Sequence, residues 1–89
     1  MLSPGAYKFI VTADGGIKHH SDMLRPHSAL VREAGQAAIA AGVFFAFDNG
    51  EYEIKDTFSS TLDLWEFTPE HRQALADFMR GAYLMREKQ

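Results

Sequence analysis

Histidine is the residue type in this chain best suited to chemistry, and three of the four histidines lie close together. His19, His20 and His27, with Asp22 between them, form the densest group of candidate metal ligands. Imidazole and carboxylate groups suit Zn²⁺ or another first-row metal. Adjacent histidines in a strand point to opposite faces, however, so His19 and His20 are not expected to share an ion. Solvated loop histidines are therefore the favoured interpretation, and a metal-binding regulator that uses His19, His20 and His27 is the alternative.

His27 also allows a nucleophilic interpretation, because an imidazole beside a hydroxyl can act as its general base. His27 with Ser28 or Ser59 would then form the site of a small toxin- or effector-type enzyme. No sharp strand-to-helix serine turn with flanking glycines surrounds either serine. A helix cap explains Ser28 and a polar strand end explains Ser59 without any chemistry. We therefore expect no catalytic residue and no cofactor.

Large apolar side chains give a third kind of candidate, a surface that binds a partner. A tryptophan in a short apolar segment is a typical interface anchor, although tryptophan also closes the core of many small domains. Phe44, the one large apolar group on the expected polar face of a hairpin, has the same two interpretations. The predicted partner-binding residues are Trp65, Phe44, Leu62 and Leu64. They indicate a protein partner, or a homodimer.

Composition narrows the function classes. The 89 residues are 46% hydrophobic and 24% charged, as in an ordinary globular protein, and predict a single domain over 1–89. The absence of cysteine excludes disulfides and thiolate zinc sites. A net charge of −3 with scattered Lys and Arg gives no clustered surface for nucleic acid. No apolar run reaches the roughly 20 residues that span a bilayer, and no secretion signal is visible, so we expect a cytoplasmic protein.

The elements that must position these residues are organised around an aromatic hairpin. Two β-prone runs, residues 43–47 and 51–55, flank Asn49 and Gly50, and Asn-Gly is the strongest short-range hairpin signal. A two-residue type I′ turn would pair Phe47 with Tyr52. This register places four large side chains on one face: Phe45, Phe47, Tyr52 and Ile54. A hairpin alone is marginal in water, so this face requires a helix or further strands over it.

The chain before the hairpin predicts two strands and a short helix. Residues 7–12 are β-prone and end at an Asp-Gly-Gly turn, after which residues 17–20 form a short return strand. Ser28 is placed to cap a helix over residues 29–34 that Gly35 closes. An alternative is a longer helix that runs on to Gly42, although Gly35 disfavours it by about 1 kcal/mol relative to alanine.

A clearer helix follows the hairpin. Thr68 is its expected cap and Pro69 its first residue, and apolar residues recur at helical spacing over residues 69–86. The chain is therefore predicted to be α+β. A small antiparallel sheet, with a central hairpin at 43–58 and an N-terminal strand at 7–12, is packed by this C-terminal helix, and a short helix lies near 29–34.

Several short motifs of the sequence resemble those of a module found in plant IQ-motif proteins and in bacterial effector or toxin-like C-termini. The motifs occur here in the same order as in that module: His27-Ser28-Ala29-Leu30, Ala40-Ala41-Gly42, Asn49-Gly50 and Ser59. The resemblance implies a mainly β arrangement in which residues 28–42 are loop and strand. Ser60, Thr61 and Leu62 stand where that module has Gly, His and Tyr, and this departure favours binding without catalysis.

The predicted function is that of a small non-catalytic binding protein acting through protein–protein contact. A bacterial or phage-encoded inhibitor of a larger complex, for example a CRISPR effector, or an accessory subunit would have this size and character. The enzyme and the metal-binding regulator described above are the alternatives.

Overall fold

A computed structural model describes residues 2–58 and 67–89 and confirms the α+β fold. Its elements are β1 (Gly5–Thr12), β2 (Ile17–His20), α1 (His27–Ala34), β3 (Ala38–Ala46), β4 (Glu51–Phe58), α2 (Pro69–Tyr83) and β5 (Arg86–Glu87). The strands form one sheet in the order β2-β1-β3-β4-β5. Its pairs are antiparallel except for β4 with β5, which are parallel. No helix in the described ranges combines the length and hydropathy needed to cross a bilayer.

The larger core lies between α2 and one face of the sheet. α2 presents Leu75 and Met79, four residues apart and both buried, to this face. Fully burying a side chain of this kind contributes about 1.5–3 kcal/mol. The buried members of this core come from the sheet, from α2 and from the chain just after it: Tyr7, Phe9, Val11, Ile17, Ala40, Phe44, Ala46, Tyr52, Leu75, Met79 and Met85.

α1 covers part of the opposite face. Its Leu30 is fully buried against Ile10, Ala38 and Ala41 of β1 and β3. Further along the same face, Val43 and Phe45 are only half-buried. The sheet is therefore packed by one helix on each side, and α1 has the smaller footprint.

The predicted type I′ turn is wrong, and the error reverses part of the hairpin. Asn49 does not have a positive φ, whereas Gly50 has a φ of 84°. The Phe47 amide donates a hydrogen bond of 2.8 Å to the Glu51 carbonyl, so the loop has three residues, 48–50. Tyr52 consequently pairs with Ala46 instead of Phe47. Because a shift of one residue turns side chains to the other face, the predicted core positions of Phe45 and Phe47 are wrong.

A bulge restores the predicted register further along the hairpin. The pairing shifts between Val43 and Phe44, after which Val43 faces Asp56, as it would in the register that pairs Phe47 with Tyr52. The register near the turn also changes the position of Phe44, which pairs with Ile54. It was expected on the polar face of the hairpin, and it lies instead in the core with 0% exposure.

Both helices form near their predicted positions, but α1 begins earlier and α2 ends earlier than predicted. α1 begins at His27 with Pro26 as its N-cap residue, so the predicted Ser28 cap is wrong. Gly35, with a φ of 69°, ends α1 as expected, and residues 28–34 are not the loop that the resemblance implies. Thr68 caps α2 in a capping box with His71. α2 ends at Tyr83 instead of residue 86, since Leu84 adopts a left-handed conformation and the chain turns into β5.

Gly42 is required by a close approach within the sheet. A Cβ atom there would lie 2.5 Å from the Asp56 carbonyl oxygen and 2.8 Å from ring carbons of Phe9. Gly81, in α2, has open space in the same position. The two glycines therefore differ in what a methyl group would meet.

We expect Gly42→Ala to lower the free energy of unfolding by about 2 kcal/mol, because the Phe9 ring and the β4 backbone must move. Gly81→Ala, the matched control, should raise it by up to about 1 kcal/mol, because alanine is the better helix former. Urea unfolding of both variants measures the difference. Equal effects of the two substitutions would contradict the close packing around Gly42.

Two core tyrosines differ in their hydroxyl contacts. The Tyr7 hydroxyl donates to the Ser3 carbonyl at 2.7 Å, whereas the buried Tyr52 hydroxyl makes no hydrogen bond to any described residue. Burial, with the Glu87 carboxylate nearby, raises the pKa of Tyr52 to about 12. Tyr52 therefore keeps its proton at physiological pH, and its hydroxyl costs the fold free energy.

Tyr7→Phe should lower the free energy of unfolding by about 1 kcal/mol, because it deletes a satisfied hydrogen bond. Tyr52→Phe should instead leave it unchanged or raise it by up to about 1 kcal/mol, because it removes an unsatisfied buried group. Chemical denaturation of the two variants tests this pair. A loss in Tyr52→Phe as large as that in Tyr7→Phe would show that the Tyr52 hydroxyl has a partner.

Candidate contact surface

Phe44 does not belong to an accessible surface. Its ring stacks on Tyr7, with centroids 5.3 Å apart and planes 13° from parallel, and it also contacts Phe9 and Tyr52. The proposal of Phe44 as a partner-binding residue is therefore corrected. Four further residues predicted from the sequence lie outside the described residues: Trp65, Leu62, Leu64 and Ser59.

His27 and Ser28 do not converge. They are neighbours in the first turn of α1, where adjacent side chains do not face each other. The His27 Nε2 atom lies 3.0 Å from the Gly42 carbonyl oxygen, so the ring is directed towards the sheet. Ser28 is exposed to solvent. The contact ties α1 to β3 and gives the imidazole a structural role.

His19 and His20 lie on opposite faces of β2, as their adjacency predicts. His19 faces the α2 side, where its Nε2 atom is 2.9 Å from the Tyr83 hydroxyl. His20 is half-buried on the α1 side, with neither ring nitrogen hydrogen-bonded to a described residue. Within residues 2–58 and 67–89, no three His, Asp or Glu side chains are grouped closely enough to hold a metal ion.

In the turn between β1 and β2, the Asp14 carboxylate makes hydrogen bonds that stabilise the fold. Asp14 accepts hydrogen bonds from the Thr12 hydroxyl at 2.5 Å, the Gly16 amide at 3.0 Å and the Gln36 amide at 3.2 Å. These donors lower the pKa of Asp14 to about 2, and the Thr12 hydroxyl has the largest effect. Asp14 therefore stays ionised near neutral pH and connects the turn to the segment after α1.

An exposed apolar turn lies between β2 and α1. We define the apolar turn as residues 22–25, with Met23 and Leu24 at its tip. Their exposed fractions are 40% and 94%. Turn tips normally carry Gly, Asn, Asp or Pro, so two large apolar side chains in this position are unusual. The sequence signal was the Met-Leu pair between Asp22 and Pro26, which the sequence analysis did not consider.

Polar contacts fix the apolar turn on both sides. The Asp22 carboxylate accepts from the Leu24 amide at 3.0 Å, and the Asp22 carbonyl accepts from the Arg25 amide at 3.0 Å. The Lys8 ammonium donates to the Arg25 carbonyl at 2.6 Å, and Arg25 pairs with Glu33 of α1 at 2.5 Å. The turn is thus attached to both β1 and α1, and Leu24 projects from a defined position.

A second apolar feature lies on the α1 face of β3. We define the aromatic strip as Val43, Phe45 and Phe47, which are half-buried on the face that carries α1. The Phe45 and Phe47 rings are 5.1 Å apart, and the Lys88 ammonium lies 5.1 Å from the Phe47 centroid. Lys8, which holds the turn, is paired with Val43 across β1 and β3. Lys8 therefore connects the apolar turn to the strand pair that carries the strip.

No protein family, curated protein or solved structure matches the chain. The resemblance to the plant and bacterial module stays a prediction. The geometry of the described residues is accordingly the basis for the function proposed below.

The surroundings of His19 make stability depend on pH. Its ring contacts four aromatic rings, those of Tyr7, Phe44, Phe78 and Tyr83. Burial, and to a lesser degree the neighbouring His20, lowers the pKa of His19 below its ordinary value of 6.5. The folded state thus favours the neutral ring. The unfolded chain takes up a proton first as pH falls, so stability present above pH 6.5 is lost below it.

We expect His19→Phe to flatten the loss of stability that the wild type shows as pH falls from 6.5 through the lowered pKa of His19. Phenylalanine keeps the ring packing and has no proton to bind. Tyr83→Phe is the matched control, because it removes the hydrogen bond and leaves the burial that is the main cause of the lowered pKa. Urea unfolding across this pH range measures both slopes. The same slope in His19→Phe as in the wild type would contradict the assignment.

Proposed function

We propose that this chain is a small non-catalytic binding protein that acts through protein–protein contact, with the apolar turn as an anchor of its contact surface. The observation that carries the proposal is Leu24, which is 94% exposed on a turn fixed from both sides. At this exposure the Leu24 side chain gains little from packing within the domain. A pre-ordered anchor, in contrast, loses little entropy when a partner covers it.

The aromatic strip extends this surface. Phe45 and Phe47 offer apolar area, and the charged residues Lys8 and Lys88 border them. An apolar centre with a charged rim is the usual anatomy of a protein interface. Trp65, together with Leu62 and Leu64, stays in the proposed contact set on the strength of its residue type.

Three of the four histidines make contacts that connect parts of the described structure. His27 is bound to a sheet carbonyl and His19 to the Tyr83 hydroxyl, while the Nδ1 atom of His71 accepts the Thr68 amide in the capping box of α2. Each of these contacts stabilises packing between or within elements.

Affinity capture from native lysate with mass spectrometry tests the proposal, using wild type, Leu24→Ser and Leu24→Met. Leu24→Ser should weaken capture roughly 30-fold, because burying a leucine is worth about 2 kcal/mol. Leu24→Met should retain capture, because methionine offers a similar apolar area. Both variants should unfold within about 0.5 kcal/mol of the wild type, since the side chain is exposed. Trp65→Ala is the parallel variant for the second anchor.

Light scattering on the same variants distinguishes a foreign partner from a second copy. A homodimer through the apolar turn would have twice the monomer mass, and Leu24→Ser would return it to monomer. Undiminished capture by Leu24→Ser of every partner that the wild type retains would refute the role of the turn.

A further inference from the structure

The two residues at the tip of the apolar turn differ in their chemistry. Residues 22–25 form a β-turn, because the Arg25 amide donates to the Asp22 carbonyl at 3.0 Å, and this places Met23 and Leu24 at its two central positions. Leu24 has no group that a mild oxidant attacks, whereas the thioether sulfur of Met23 can be oxidised to a sulfoxide. A chemical change at Met23 therefore occurs directly beside the proposed anchor.

Met23 is accessible to a dissolved oxidant, and the two other methionines of the described ranges are shielded from it. The exposed fraction of Met23 is 40%, against 0% for Met79 and 1% for Met85. Met79 and Met85 both belong to the core between α2 and the sheet. Met1 lies outside the described residues. Within residues 2–58 and 67–89, the fold thus exposes one thioether and buries two.

The composition of the chain directs an oxidant to this thioether. Cysteine and methionine are the side chains that peroxide oxidises most readily, and the chain has no cysteine. No thiolate therefore competes with Met23 for peroxide. Oxidation of Met79 or Met85 would first require the core to open, which is rare in a stable domain.

A sulfoxide would change the character of the apolar turn. In the reaction with hydrogen peroxide, an S–O bond forms at Met23 as the O–O bond breaks, so the sulfur loses two electrons and the peroxide leaves as water. The product is a polar and chiral side chain, and its oxygen lies beside Leu24 at the tip of the turn. Burying that oxygen against an apolar partner without a hydrogen bond is unfavourable.

We propose that Met23 is a site of reversible oxidation by peroxide, and that its sulfoxide weakens the protein contact made through the apolar turn. The effect on the contact rests on the proposed function, whereas the oxidation of Met23 rests on its exposure and on the burial of Met79 and Met85. Reduction by thiols reverses the reaction, because two thiols become a disulfide and the sulfoxide oxygen leaves as water.

Peptide mapping of the folded chain during treatment with hydrogen peroxide tests the site. Cleavage after Lys and Arg places Met23, Met79 and Met85 on separate peptides. The Met23 peptide should gain one oxygen atom at least about 100-fold faster than the other two, because those methionines react only when the core opens. In urea above the unfolding transition, all three should react at similar rates. Oxidation of Met79 or Met85 as fast as Met23 in the folded chain would overturn the proposal.

Retention on a phenyl matrix measures the apolar character of the turn without a partner. The oxidised wild type should elute earlier than the untreated wild type, as should Met23→Gln, which has a polar side chain of similar length. Dithiothreitol with the two methionine sulfoxide reductases, one for each epimer, should restore the retention of the oxidised wild type. Met23→Leu is the matched control, because it keeps an apolar side chain without sulfur. A change on treatment as large in Met23→Leu as in the wild type would assign the effect to another residue and overturn the proposal.

The partners that the wild type captures and Leu24→Ser loses test the effect on the contact. The oxidised wild type should retain them roughly fivefold more weakly, because a polar oxygen is then buried in the contact. Peroxide-treated Met23→Leu should retain them as well as the untreated wild type does. Undiminished retention by the oxidised wild type would overturn the control of the contact and leave the proposed function standing. If Leu24→Ser loses no partner, the proposed function fails and with it the effect on the contact, while peptide mapping still confirms or refutes the oxidation site.

Discussion

The burial of the Phe44 ring beneath α2 is the interaction on which this structure depends. Phe44 contacts Tyr7, Phe9 and Tyr52, so one ring joins β1, β3 and β4. Its pairing with Ile54 follows from the three-residue loop of the hairpin, because this pair lies on the turn side of the bulge. The same register turns Phe45 to the opposite face. A single choice of loop therefore decides which aromatic side chains build the core and which ones border a surface.

The interior of the protein is closely packed, whereas two leucines at its surface are left exposed. Inside, Gly42 permits the close approach of Phe9, and α2 is closed at its start by a complete capping box. At the surface, Leu24 and Leu84 are exposed by 94% and 84%. Polar contacts fix the backbone around each of them, so both side chains project from ordered positions. An ordered apolar group binds a partner at a lower entropic cost than a mobile one, which is the basis of the contact proposed for the apolar turn.

The histidines show how residue type misleads when tertiary contacts are unknown. Their clustering in the sequence allows a metal site or a catalytic base as alternatives to solvated loop histidines, yet the structure gives His19 and His27 separate contacts within the fold. His19 lies among aromatic rings beneath the end of α2, and His27 connects α1 to a carbonyl of β3. Neighbours in sequence were separated here by the alternation of a strand and by the start of a helix, both of which are local rules of backbone geometry.

The sequence by itself determined the elements with strong local signals. The Thr68-Pro69 start of α2, the end of α1 at Gly35 and the strands on both sides of Asn49-Gly50 all follow from backbone preferences that act over a few residues. The face of each strand at the hairpin, the burial of Phe44 and the exposure of Leu24 and Leu84 were decided by the tertiary structure alone. The reason is physical: one residue in the loop reverses the faces of a strand, and exposure depends on which distant elements cover a side chain.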